Sequence, residues 1–131
     1  MFTVLEEFKP FFKGTSFHYL SFPHCTDCGR WHWYPLKICP HCQGAIIDWK
    51  KIAGIGKLYS WTILRYRFDP DFNREPPFII ALVTFKEAPG VRLVTNIDAH
   101  ENELKIEMDL EPIFLKKGQF TFVHFKPATN I

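Results

Sequence analysis

The sequence predicts a mainly-β chain: a short N-terminal helical arm, a four-cysteine metal ribbon, and a small antiparallel barrel. Three observations carry this. All four cysteines fall in two knuckles, Cys25-Thr26-Asp27-Cys28 and Cys39-Pro40-His41-Cys42, with ten residues between them. From Trp49 onward the chain breaks into short runs rich in β-branched and aromatic residues, separated by turns bearing glycine and proline. Near the start, apolar Val4, Leu5 and Phe8 share one helical face, and Pro10 and Gly14 keep that helix short. The expected divisions are 1–21 for the arm, 22–47 for the ribbon and 48–131 for the barrel domain.

The arm also carries Phe11, Phe12 and Phe17, an apolar cluster with no partner inside so small a segment. Either these rings pack onto the rest of the chain, or they dock on another subunit.

In the ribbon, two C-x2-C knuckles bring four thiolates onto facing turns, the arrangement tetrahedral zinc requires. Gly29 and the pair Gln43-Gly44, which follow the second cysteine of each knuckle, suit so tight a turn. The competing reading is two disulfides. Residues 1–13 argue against it, because Glu6, Glu7 and Lys9 stand where a secretory leader needs an apolar run. In a reducing cytoplasm, the expected compartment, such knuckles bind metal. One structural Zn2+ per chain, held by Cys25, Cys28, Cys39 and Cys42, is therefore expected. Four thiolates close the coordination shell, and catalysis needs an open position. His24, His32 and His41 crowd the site, but the complete sulfur set assigns them to solvent or to supporting contacts.

The barrel strands are expected at 57–64, 78–86, 91–97, 111–116 and 120–125, with a further segment near 48–52. Gly54-Ile55-Gly56 makes a bend or bulge before the first of these, and Glu87-Ala88-Pro89-Gly90 turns between 78–86 and 91–97. The 78–86 run is apolar enough to be buried on both faces. Five or six antiparallel strands in about eighty residues hide their edges most economically by closing, and an OB-type barrel fits the count.

Composition narrows the function. Charge is nearly balanced, with 16 basic and 14 acidic residues, which argues against a dedicated duplex-DNA binder. Aromatics make up 17% of the chain, more than a small core requires, and the excess suits a protein interface. The longest apolar run, 78–85, is far short of a membrane span. No nucleophile with an attendant base is apparent, since the only cysteines are committed to metal and His100 and His124 are isolated. No catalytic residue is assigned. The 65–77 connection is too long for a hairpin and carries Arg65, Arg67 and Arg74, which could hold phosphates; its own Asp69, Asp71 and Glu75 could instead pair with them.

Together the motifs resemble a known family. After the helical arm come Cys-x2-Cys-Gly, Tyr34-Pro35 and the second knuckle. Then follow Gly54-x-Gly56-x-Leu58-x-Ser60-x-Thr62, the run Pro77-Phe78-Ile79-Ile80-Ala81-Leu82-Val83, and Val91-Arg92-Leu93-Val94-Thr95. This resembles the OB-fold, acyl-CoA-associated proteins with a rubredoxin-like zinc ribbon, over essentially the whole chain. Two positions depart from that pattern: Leu36 follows Tyr-Pro where an arginine is usual, and Glu107-Met108 replaces Gly-Met. The resemblance implies a non-catalytic subunit of a thiolase-like acyl-CoA-processing complex that acts in thiolysis, condensation or retro-aldol cleavage. It also implies a thiolase-like partner in a hetero-oligomer and a share in binding CoA or acyl-CoA, for which Arg65, Arg67 and Arg74 are the candidates. The alternative is a single-stranded nucleic-acid module stacking bases on Trp31, Trp33, Tyr59, Trp61 and Tyr66, against which the near-neutral charge weighs.

Overall fold

The computed structural model describes residues 6–65 and 77–128. One helix, α1 (Lys9–Ser16), precedes seven strands: β1 (Leu20–Cys25), β2 (Ile47–Ile52), β3 (Gly56–Leu64), β4 (Phe78–Thr84), β5 (Arg92–Ile97), β6 (Asp109–Lys117) and β7 (Phe120–Pro127). β1 and β2 form a two-stranded antiparallel sheet, and the remaining five close a barrel in the order β3-β4-β5-β7-β6. The segment near 48–52, counted above as a possible sixth barrel strand, is β2 and pairs with β1 instead. That ladder runs from Leu20↔Ile52 to Cys25↔Ile47, so it straddles the expected 47/48 division.

The barrel core follows from strand alternation. Ile63, Ile79, Ile97 and Phe125 form one row across β3, β4, β5 and β7, and Leu58, Val83 and Leu93 form another. Of these, Leu58, Val83 and Phe125 are fully buried, and each such side chain contributes about 1.5–3 kcal/mol. β4 is not buried on both faces as its composition suggests. Its inward residues Ile79, Ala81 and Val83 are buried, while Phe78, Ile80 and Leu82 on the outer face are only half-covered. Gly54, at φ +92°, makes the expected bend, and the bulge itself lies between Leu58 and Ser60.

The arm departs from the sequence reading in an instructive way. Among the described residues a 3-10 turn, Glu6–Phe8, leads into the helix at Lys9–Ser16, where Pro10 occupies the first turn and Gly14 the interior; Val4 and Leu5 lie outside the described residues. Proline lacks a donor that the first turn does not use, so there it starts a helix instead of stopping one. α1 packs on the barrel. The Thr15 hydroxyl, fully buried, donates to the Thr121 carbonyl at 2.6 Å, and Phe12 meets Phe120 and Phe122 edge-on. β5 and β7 are paired by register only at Ile97↔Phe125. The β7 carbonyls along that seam are completed from three directions: Thr15 on Thr121, the Thr95 hydroxyl on Val123 at 2.9 Å, and the Asp98 N–H on Phe125 at 2.7 Å. A barrel seam with few strand contacts thus keeps its backbone acceptors satisfied.

Phe11 is buried between Phe22 and Trp33, and Trp31 and Trp33 pack against the core. Of the aromatics offered as anchors for another subunit, only Phe17, 69% exposed, is free to serve.

Candidate metal centre

The two knuckles are built to one backbone plan. In each, the N–H four residues after the first cysteine returns to that cysteine's carbonyl: Gly29 to Cys25 and Gln43 to Cys39, both at 2.9 Å. In each, the first cysteine's own N–H donates to the carbonyl one residue further on, Arg30 or Gly44, again at 2.9 Å. The turn needs a left-handed residue at its fifth position, supplied by Gly29 at φ +75° and Gln43 at φ +65°. The sequence pointed to Gly44 as well as Gln43 for this role. Gly44 instead permits close approach, since a Cβ there would run into the Asp27 carboxylate of the opposite knuckle.

These turns bring the four sulfurs within 4.8 Å of one another. Across the knuckles, Cys25 and Cys42 sulfurs are 3.6 Å apart, and Cys28 and Cys39 sulfurs 3.7 Å. A tetrahedral ion with metal–sulfur bonds of about 2.3 Å has sulfur–sulfur edges of about 3.8 Å, which the two cross-knuckle distances match. Cys25 and Cys39 are buried; Cys28 and Cys42 are exposed. The amides of His41 and Gly44 point at the Cys39 and Cys42 sulfurs, at 3.3 and 3.4 Å.

The thiols do not titrate alike. Burial raises the pKa of Cys39, but the Cys42 and His41 backbone and the Cys28 and Cys25 thiols outweigh it and bring the value down to about 7. Cys42 is pushed up to about 12: the Gly44 N–H lowers it, and the Cys25 thiol, burial and the other two thiols overcome that. Sulfurs this close resist holding several negative charges, and that repulsion is what a bound cation removes. With all four positions taken by sulfur, the ion would supply cross-linking between the knuckles.

The three histidines separate. His41 is exposed. The His24 ring packs on Trp31, with ring centres 5.0 Å apart. His32 is 4% exposed, and neither ring nitrogen has a hydrogen-bond partner among the described residues. Burial lowers its pKa, with His41 adding to the effect and the Leu36 backbone opposing it. Of the other three, His18 stacks on Phe114, and His100 caps a short 3-10 turn through Nδ1, which accepts from the Asn102 N–H at 3.2 Å. His124 meets Asn96 across the barrel seam at 3.3 Å.

Arg65 forms an exposed ion pair with Glu101 at 3.0 Å. Among the described residues Glu101 is its partner, and sequence spacing gave no sign of that pairing. Arg67, Arg74 and the loop carboxylates Asp69, Asp71 and Glu75 lie outside the described residues. The stacking set of the nucleic-acid alternative does not form one platform: Trp31 and Trp33 are turned to the core, and Arg92 covers the Tyr59 ring at 4.5 Å. Tyr66 lies outside the described residues. No helix among them is long and apolar enough to cross a membrane.

Comparison with known proteins agrees with this architecture. Residues 18–48 match the profile of the ChsH2 rubredoxin-like zinc ribbon domain, and residues 49–115 that of the ChsH2 C-terminal OB-fold domain. The chain belongs to the ChsH2 (DUF35) family. A solved chain of the Ltp2-ChsH2(DUF35) aldolase superposes with a TM-score of 0.85 at 27% identity, over 98% of this chain and 100% of that one. A DUF35 protein of unknown function from Sulfolobus solfataricus shares the fold, with a TM-score of 0.67 at 22% identity over 94% of this chain and 86% of the other. Among curated relatives, a probable enoyl-CoA hydratase alpha subunit from Thermomonospora curvata is 30% identical over 119 residues, 89% of this chain. A DUF35 domain-containing scaffold protein from Pyrococcus furiosus is 34% identical over 83 residues, 63% of this chain. The matched segments span only 36% and 60% of those two proteins.

Proposed function

We propose that this chain is a zinc-binding accessory subunit of a thiolase-like acyl-CoA-processing complex, and that it performs no chemistry of its own. The observation that carries this reading is the similarity, over its full length, to a ChsH2 chain described together with Ltp2 as an aldolase. The names of the other relatives, a hydratase subunit and a scaffold protein, support the same role as one part of an acyl-CoA assembly. Zn2+ would be held by Cys25, Cys28, Cys39 and Cys42, whose spacing suits a closed tetrahedral site. Its task is to hold the ribbon in shape. Arg65, Arg67 and Arg74 remain the candidates for CoA phosphates, and Arg65 would exchange its Glu101 carboxylate for a phosphate to serve.

The test is affinity purification of the tagged chain from its native host, with mass-spectrometric identification of what elutes. The expected result is a thiolase-like subunit in stoichiometric amount, with acyl-CoA turnover that needs both chains. Turnover by the isolated chain, or a monomer with no stoichiometric partner, would overturn the reading.

A further inference from the structure

Among the described residues the outer edge of the ribbon sheet carries no further strand, and the alternation of the ladder says which groups it offers. β1 turns the Pro23 carbonyl and the Cys25 N–H away from β2, to the His32 N–H at 3.1 Å and the Arg30 carbonyl at 2.9 Å. In an antiparallel ladder the neighbouring residues Leu20, Phe22 and His24 then face β2, opposite Ile52, Lys50 and Asp48. Ile47, Trp49 and Lys51 are left with their N–H and C=O groups directed outward. Ala53, next in the same alternation, donates its N–H to Glu87 at 3.1 Å, which closes that end. Among the described residues no strand other than β1 pairs with β2.

Beside this edge lies a groove of about 310 Å³, lined by Pro10, Pro23, Pro35, Leu36, Ile47 and Trp49. It has room for one large apolar side chain. Leu36 is 49% exposed, so this wall of the groove reaches the surface. On its rim stand Glu7, half-buried, and Lys37, exposed, neither of which forms an ion pair among the described residues.

We infer that the β2 edge and this groove dock an extended segment of the partner subunit, carrying a large apolar side chain with a basic residue beside it. The inference rests on the accessory-subunit reading. Backbone pairing along Ile47, Trp49 and Lys51 would supply affinity, the groove would take the apolar anchor, and Glu7 would select the basic neighbour. For a second copy of this chain, antiparallel pairing of two β2 edges centred on residue 50 would set Lys50 against Lys50, and like charges directly opposite each other are destabilising.

The experiment pans the zinc-loaded full chain against a displayed library of short random linear peptides, then measures the enriched peptides in solution. Enriched peptides should share a large apolar residue next to Lys or Arg and should slow amide exchange at residues 47–51. Leu36→Asp and Glu7→Lys should each weaken their binding at least about tenfold, while Phe17→Asp, on exposed surface elsewhere, should leave it unchanged. No enrichment, or enriched peptides that bind both groove variants as tightly as the parent, would overturn the docking site. Failure of the accessory reading shows separately, as the absence of a stoichiometric partner in the native host.

Discussion

Replacing Cys39 by serine tests the metal centre where the backbone depends on it most. Cys39 is 1% exposed, its N–H and C=O both close the second knuckle, and its sulfur lies 3.7 Å from that of Cys28. Between residues 26 and 46 the buried apolar side chains are Pro35 and Cys39, with Trp31 and Trp33 half-buried against the core, so this segment has little apolar interior apart from its ligands. Apparent metal-binding free energies in zinc-finger peptides are roughly 10–16 kcal/mol at neutral pH. That matches or exceeds the entire stability of an ordinary domain, about 5–15 kcal/mol. Losing one of four ligands should therefore unfold 26–46 locally. The barrel, with its own core of Leu58, Val83, Leu110 and Phe125, should persist. Metal analysis should give about one zinc per parent chain and far less for Cys39→Ser. Limited proteolysis should cut the variant between the knuckles, and a chelator should reproduce the pattern in the parent. His41→Ala should keep its zinc. A folded, protease-resistant Cys39→Ser protein, or a metal-free parent with full amide protection in 26–46, would refute the reasoning.

Four further outcomes follow from the same geometry. Thr15→Val leaves the buried Thr121 carbonyl without its 2.6 Å donor and should cost about 1–3 kcal/mol in urea unfolding, with Thr15→Ser recovering most of it. Gln43→Gly removes a side chain from φ +65° and should stabilise the ribbon by about 1 kcal/mol, read as a higher melting temperature. His32, whose pKa burial lowers from 6.5, binds a proton less readily in the folded ribbon than in the unfolded chain. Stability should hold above about pH 6.5 and fall below it, and this fall should shrink in His32→Gln when urea midpoints are compared across that range. Replacing Arg65 and Arg67 by alanine should raise the apparent KM of the assembled complex for acyl-CoA roughly tenfold to a hundredfold, the loss of about 1.5–3 kcal/mol from a charge-assisted contact; an unchanged KM in an intact complex would assign both arginines to the solvated surface.

What the sequence displayed and what it hid divide along a physical line. The knuckles and the barrel strands were legible because their signals are local: a fixed cysteine spacing, and alternation within a few residues. The strands at 57–64 and 91–97 lie within one residue of β3 and β5. β1 was missed because Leu20-Ser21-Phe22-Pro23-His24-Cys25 has a proline at its centre and no alternation, and it is buried almost throughout. That proline is tolerable only because residue 23 turns its backbone away from β2, toward the segment around His32, where a carbonyl alone is needed. Once β1 is unseen, β2 has no partner but the barrel, and the strand count rises to six. The arm's helix is present as expected, but its span was hidden for the same reason. Pro10 reads as a breaker unless the helix begins beside it, and that depends on Phe11 finding Phe22 and Trp33 and on Thr15 finding Thr121, contacts more than ten residues away in the chain. The consequence reaches function. Aromatics that looked surplus in the sequence are spent inside the molecule, holding arm, ribbon and barrel together. Among the described residues the exposed apolar side chains of the ribbon include the aliphatic Leu36, Ile38 and Ile46, which aromatic content could not have indicated.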